Sequence, residues 1–189
     1  MRNFIKNVIS LIARFVAWYY IISYFLNKNY KLITLRISDI DGYIGFEIRR
    51  FFYNKTLKTS ALDLRVHKGA YFVYPNVSVG RRCSIEENTV ISLCDIGDDV
   101  IIAANVSLMS GGNQHEIDDL SLKFHDSNLP LKRIKIGNNV WIGTRSTIMA
   151  DISFGCVIGA GSVVTKKMPI NSIIGGVPAT VIRIRGEKK

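Results

Sequence analysis

Three histidines (His67, His115, His125) and three cysteines (Cys83, Cys94, Cys156) are the side chains best suited to proton-transfer or nucleophilic chemistry. His115 and His125 both fall in segment 109–133, where an otherwise regular apolar pattern is interrupted. A loop of about 25 residues is unusual unless it serves function. It opens with Gly111-Gly-Asn-Gln-His-Glu-Ile-Asp118. An imidazole, with an ordinary pKa of about 6.5, can take a proton from a hydroxyl near neutral pH. His115 lies seven residues past Leu108, close enough to be held against the body of the protein, and is the expected base. His125, mid-loop in Phe124-His-Asp126, is its competitor, and His67 reads as structural. Asp118 either orients His115 or is a solvated loop carboxylate. The cysteines are odd in number and form no CxxC pair, so they are expected to be reduced, small, buried side chains of a cytoplasmic protein. No Ser or Cys beside a partner base is visible, which argues against a covalent intermediate. The three histidines are not placed to converge on zinc, and no metal is expected.

These groups must be positioned by one compact domain plus an appendage, which is what 189 residues allow. Charged residues make up 21% of the chain and Ile and Val are abundant, which excludes a disordered chain. Four prolines and three cysteines exclude collagen-like and disulfide-stapled designs. The net charge of +10 is uneven: residues 1–68 carry 12 basic and 4 acidic side chains, and residues 69–189 carry 13 and 11. A basic, apolar front suits a membrane surface, and a basic tail from Lys166 onward suits a phosphorylated ligand. No zinc finger, RNA-binding signature or basic-aromatic interleaving supports nucleic acid as a partner.

The front is expected to be helical. In 3–14 the polar positions Asn3, Lys6, Asn7, Ser10 and Arg14 share one helical face, with Phe4, Ile5, Val8, Ile9, Leu11 and Ile12 on the rest. From Phe15 to Leu26 the run is apolar nearly all round. Those twelve residues are too few to span a bilayer, and extending them back to Val8 places Arg14 inside. No small-residue cleavage site follows. Trp18, Tyr19, Tyr20 and Tyr24 suit a membrane interface. Two placements stand open: a helix lying in the inner leaflet, or one packed on a neighbouring subunit.

Beyond the front, aliphatic residues recur every six positions at Val73, Val79, Ile85 and Ile91, then Ile96, Ile102 and Leu108, then Ile136, Ile142 and Ile148, and finally Ile158 and Val164. Four positions after many of them sits a small or β-branched residue, such as Cys83, Thr89, Val106 or Ser146. A period of six fits neither a helix nor a simple strand. It fits a short strand followed by a turn, three such units closing one triangular coil, with coils stacked roughly 4.8 Å apart. Between Phe154 and Ile158 the spacing drops to four, which predicts a tightened turn there. Trp141, one residue before an inward Ile142, is expected to point outward.

Residues 71–186 resemble the hexapeptide-repeat acetyltransferases, and within them the galactoside, maltose, nodulation-factor and capsule O-acetyltransferases. The likeness rests on Ile136-Gly-Asn-Asn-Val-Trp-Ile-Gly143, Ile158-Gly-Ala-Gly-Ser-Val-Val-Thr-Lys166 and Gly175-Gly-Val-Pro-Ala-Thr-Val-Ile-Arg183. It implies a mainly β fold: a left-handed parallel β-helix over 67–186, with an N-terminal helical appendage over 1–66 and a protruding catalytic loop over 109–133. It also implies a homotrimer that moves an acetyl group from acetyl-CoA to a hydroxyl of a sugar, in a surface polysaccharide or its lipid-linked or nucleotide precursor. By the same likeness His115 is the general base, within a His-x-x-Asp pattern that ends at Asp118, and Thr144 stabilises the oxyanion. Trp141 borders the channel for acetyl-CoA and acceptor. Ala160, Thr165, Lys166, Lys167, Thr180 and Arg183 then hold acetyl-CoA, with Gly159 and Gly161 allowing the pantetheine arm to approach. Ser92 and Asn113 are candidates for acceptor binding, because the Asn that the family often carries before the loop is missing from Ile91-Ser-Leu-Cys-Asp95. The expected location is cytoplasmic, or peripheral on the inner face of the cell membrane. Rival readings are N-acetylation of an amino sugar, O-acetylation of serine, a non-catalytic β-helix scaffold and a γ-type carbonic anhydrase.

Overall fold

A computed structural model describes residues 2–112, 114–127 and 129–187. Helices α1 (Arg2–Asn27), α2 (Tyr30–Ser38) and α3 (Gly42–Thr56) precede sixteen short strands. The three helices are separated by capped breaks. The Asn29 side chain accepts from the Leu32 N–H at the start of α2, and Asp41 accepts from Gly42 N–H at the start of α3.

The strands form three sheets that are the faces of a triangular prism. One face holds β1 (Thr59–Ser60), β4 (Ser78–Val79), β7 (Cys94–Ile96) and β10 (Ile134–Ile136). The second holds β2 (Arg65–Val66), β5 (Ser84–Ile85), β8 (Ile101–Ile102), β11 (Trp141–Ile142), β13 (Val157–Ile158), β15 (Ser172–Gly176) and β16 (Ala179–Ile184). The third holds β3 (Tyr71–Phe72), β6 (Val90–Ile91), β9 (Ser107–Leu108), β12 (Thr147–Ile148) and β14 (Val163–Val164). Every pairing is parallel except the closing β15–β16 hairpin. This is the parallel β-helix that the repeat predicts, about six turns long and left-handed as the resemblance implies.

Backbone geometry shows why the unit is six residues. Following an inward apolar residue of the first or second face, the third residue adopts positive φ and the fourth is small and buried, up to the closing hairpin. The positive-φ positions are Gly69, Arg82, Asn88, Asp99, Asn105, Asn139, Arg145, Gly155, Gly161 and Asn171. The left-handed conformation turns the chain through a corner, which Gly and Asn adopt at least cost. The buried side chain that follows (Cys83, Thr89, Val100, Val106, Val140, Ser146, Cys156, Ser162) fills that corner. Burying each inward Ile or Val contributes roughly 1.5–3 kcal/mol before chain entropy is counted.

Three expectations need correction. The strands begin at Thr59, ahead of residue 67, because the six-residue step runs from Val66 to Phe72. Phe72 rather than Val73 is the inward residue of β3. The tightened turn is also elsewhere. Ile152 bridges Ile136 and takes the inward place on the first face, so Ile152 to Ile158 is a full six. Phe154 is half exposed and was never part of the inward row. The short steps are Ile91 to Ile96, five residues, and Ile148 to Ile152 and Val164 to Met168, each four. All irregular spacing therefore lies at one edge of the prism, between the third face and the first. Segment 109–133 leaves the body at that same edge, between β9 and β10.

The helices close the opposite end. Arg49 of α3 is buried and, among the described residues, has no carboxylate within ion-pair distance; it donates to the carbonyls of Ile37, Ser38, Ile40 and Val66 at 2.7–3.3 Å. One guanidinium thus caps α2 and fastens α3 to the first coil. Gly45 is required there, since a Cβ would lie 1.9 Å from the Ile40 carbonyl oxygen. Thr34 Oγ1 donates to the Phe72 carbonyl at 2.9 Å, and Tyr53 stacks edge-on with Phe72.

Candidate active site

The edge between the third and first faces carries the loop and its roots. Ser110 closes the base of the loop: its carbonyl accepts from Lys132 N–H at 3.2 Å, and its hydroxyl accepts from Leu93 N–H at 3.0 Å. Ser92, expected to face an acceptor, shares a 2.5 Å hydrogen bond with the same Ser110 hydroxyl. It is half-buried and ties the preceding coil to the loop root.

Within the loop, His115 is exposed and its Nδ1 lies 3.2 Å from the Ser127 carbonyl oxygen. A carbonyl only accepts, so this contact places the ring proton on Nδ1 and leaves the Nε2 lone pair free. Ser127 is buried, and its hydroxyl also accepts from the Glu116 N–H. The ring is therefore oriented by a main-chain group twelve residues away rather than by Asp118. Asp118 is exposed, and it is its N–H, bonded to Glu116 Oε1 at 2.8 Å, that stabilises the local turn. Nothing in the spacing of the sequence marks Ser127. His125 sits exposed in a single 3-10 turn, Phe124–Asp126. Asn113 lies outside the described residues. His67 is on the first coil, where it stacks on Phe46 and faces Glu86 and Glu87 at 3.6 and 3.4 Å.

Thr165, Lys166 and Lys167 are exposed at the same edge, two coils below the loop exit. They line a cleft of about 360 Å³ with Gly112, Lys132 and Met149. Three ammonium groups at one cleft make it suited to phosphate. A larger cleft of about 880 Å³ lies on the first face, where β10 has only the Ile152 bridge below it, with Lys167 on its rim.

The remaining candidates lie elsewhere on the prism. Parallel register places Ile101, Trp141, Val157 and Ile173 in one outward column on the second face, and Arg183 stands opposite Ile173 at its end. Thr180 pairs with Gly175 in the closing hairpin. Thr144 and Ala160 stack at the edge between the second and third faces, where Gly161 N–H bonds the Thr144 carbonyl at 2.8 Å. The Thr144 hydroxyl donates to the Ala104 carbonyl at 2.7 Å, so its proton is not available to an oxyanion. Among the described residues the N–H groups of Thr144 and Ala160 make no backbone hydrogen bond, and both residues are exposed. These amides are the donors that could meet a carbonyl or oxyanion. The glycine that makes this stacking possible is Gly143, where a Cβ would lie 2.7 Å from the Ala160 nitrogen. Gly161 has the positive φ of its repeat position, which it adopts at least cost, so both glycines serve the coil itself.

The three thiols do not contribute. Burial pushes Cys94 up to about 12 and Cys83 up to about 11, and raises Cys156, so all three remain protonated and unreactive near neutrality. Chemistry is thus divided between two edges, roughly 15 Å apart across one face. One edge offers a base and cations, and the other offers amides beside an outward tryptophan column.

Residues 133–166 match a family model described as the hexapeptide repeat of succinyl-transferase. The galactoside O-acetyltransferase of Escherichia coli (strain K12) is 40% identical over 126 residues, which cover 62% of this chain and 59% of that protein. WbbJ of the same strain, named for an assigned role as a lipopolysaccharide biosynthesis O-acetyl transferase, is 32% identical over 139 residues, 66% of this chain and 67% of its own. A maltose O-acetyltransferase structure from Clostridium difficile 630 has a TM-score of 0.75 at 27% identity, covering 86% of this chain and 89% of that one. A galactoside acetyltransferase structure in complex with coenzyme A has a TM-score of 0.58 at 28% identity, covering 80% and 76%. The chain spans between 40% and 59% of the length of the first four curated relatives it matches.

Proposed function

The chain belongs to the hexapeptide-repeat acetyltransferase family, and from that premise we propose that it transfers an acetyl group from acetyl-CoA to a sugar hydroxyl of a surface polysaccharide or its precursor. The observation that carries this reading is the His115 ring, held through Nδ1 by the Ser127 carbonyl with Nε2 free. His115 Nε2 takes the proton of the acceptor hydroxyl as the oxygen bonds to the thioester carbonyl carbon. The Thr144 N–H faces the charge that develops on the carbonyl oxygen. When the C–S bond breaks, the imidazolium returns the proton to the departing thiolate. Lys166, Lys167 and Arg183 supply positive charge for the phosphates of acetyl-CoA, and the amide of Ala160 receives its pantetheine arm.

The division between two edges supports assembly as a homotrimer, in which the loop edge of one copy faces the Trp141–Thr144–Ala160 edge of the next. WbbJ and the galactoside enzyme, both O-acetyl transferases by name, support a sugar acceptor, and the role of WbbJ supports a surface glycan.

The test is thiol release from acetyl-CoA in the presence of bacterial surface-glycan fragments. His115→Ala is expected to lower acceptor-dependent release by ~10²–10⁴ while leaving coenzyme A binding intact. Undiminished release by that variant would refute the assignment. Mixing His115→Ala with Thr144→Pro copies, each inactive alone, should restore part of the rate if neighbouring copies share a site.

A further inference from the structure

Helix α1 turns its apolar side outward. The side that packs on the protein is the narrower one: Ala13, Ala17 and Ile21 are buried with Val16, Tyr20 and Tyr24 partly covered beside them, and Ser10 Oγ donates to the buried Glu47 carboxylate at 2.8 Å. Lys6 lies over the Tyr43 ring and Arg14 over Phe51. The residues left outside are Phe4, Val8, Leu11, Phe15, Trp18, Ile22 and Phe25, alternately four and three apart, with Ile5, Ile12, Tyr19 and Leu26 beside them. At 100° per residue they cover an arc of about 160° without a charge. The outermost are Leu26, Phe4 and Phe15, 77%, 72% and 69% exposed. Phe4–Asn27 is long and apolar enough to cross a membrane by length and composition, yet it is fastened along α3 and would have to leave that seat to do so.

We propose that this strip seats α1 in the plane of an anionic lipid bilayer, holding the β-helix at the membrane surface. Charge selects this occupant. The first 38 residues contain Arg2, Lys6, Arg14, Lys28, Lys31 and Arg36 and no acidic residue. An anionic headgroup layer attracts this uncompensated positive charge, whereas a second copy would add its own to it, a repulsion. The breadth of the strip points the same way, since a helix–helix seam needs only the narrow row spaced four and three apart. Trp18 and Tyr19, mid-strip, are residue types that partition to the headgroup boundary. The inference is independent of the acetyl-transfer reading.

The test uses the full chain with vesicles of phosphatidylcholine alone or with 30% phosphatidylglycerol, separated by flotation. The protein should float with the anionic vesicles, weakly with the neutral ones, and less as salt rises. Phe15→Glu/Tyr19→Glu should lower the floated fraction at least roughly tenfold while keeping the helical circular dichroism and the wild-type mass by sedimentation. Failure to float with anionic vesicles, or equal flotation of the double variant, would overturn the proposal. So would a double variant of lower mass than a wild type that does not float, which would make a second copy the occupant.

Discussion

The β-helix and helix α1 are built from the same kinds of residue turned in opposite directions. In the β-helix the aliphatics of the six-residue row from Val79 onward face inward and are almost fully buried, while the outward positions are mixed. In α1 most of the large apolar residues face outward, and the protein is met by Ser10, Ala13, Ala17 and a single fully buried isoleucine, Ile21. The difference lies in what each element can close on. A coil stacks on the coil below, so its inward row always finds a partner. A helix finds one only where a neighbour presents a matching face, and α3 presents Glu47, Tyr43 and Phe51, which suit Ser10, Lys6 and Arg14.

One substitution made in both regions would break or sharpen that contrast. Ile142→Asp places a charge in the middle of the stacked row, and the loss should exceed about 4 kcal/mol, seen as failure to give a soluble fold or a collapsed urea midpoint. Arg49→Met removes the group that joins the two regions. Leaving the carbonyls of Ile37, Ser38, Ile40 and Val66 without their donor should cost about 2–5 kcal/mol, with helical ellipticity lost before the β-helix melts. Arg49→Lys should restore only part, because an ammonium cannot span that fork. Phe15→Asp, chemically as severe as Ile142→Asp, should leave the unfolding free energy from urea titration within about 0.5 kcal/mol of wild type; a large loss would mean that α1 packs by its apolar side. The smallest effect is expected of the thiols. Iodoacetamide at pH 8 should leave Cys83 and Cys94 unmodified until urea opens the coils, since their raised pKa values keep the thiolate scarce far above that pH.

The sequence was legible where the cause is local. The step of six, the small corner residue and the interruption after Leu108 identify a stacked coil with a loop, and they place His115 near its root. The positive-φ position three residues after the inward residues of the first two faces was equally present in the sequence, as Gly, Asn, Asp and Arg, but that mixed chemistry hid it. Where the step varied, spacing alone misled: Phe154 counts as easily as Ile152 until the bridge to Ile136 shows which one lies inside.

Other features belong to the tertiary structure alone. The Ser127 carbonyl behind His115, the Ser92–Ser110 bond and the commitment of the Thr144 hydroxyl to Ala104 join residues twelve to forty apart. No periodicity encodes such meetings, because they depend on how the chain returns from a corner. The division of the candidate site between two edges follows from counting coils, which a linear spacing does not do. The orientation of α1 is the clearest case. Its sequence determines a polar side over 3–14 and a nearly all-round apolar surface from Phe15 to Leu26. Which side meets protein was decided by α3, because a helical periodicity describes two faces and names no neighbour for either.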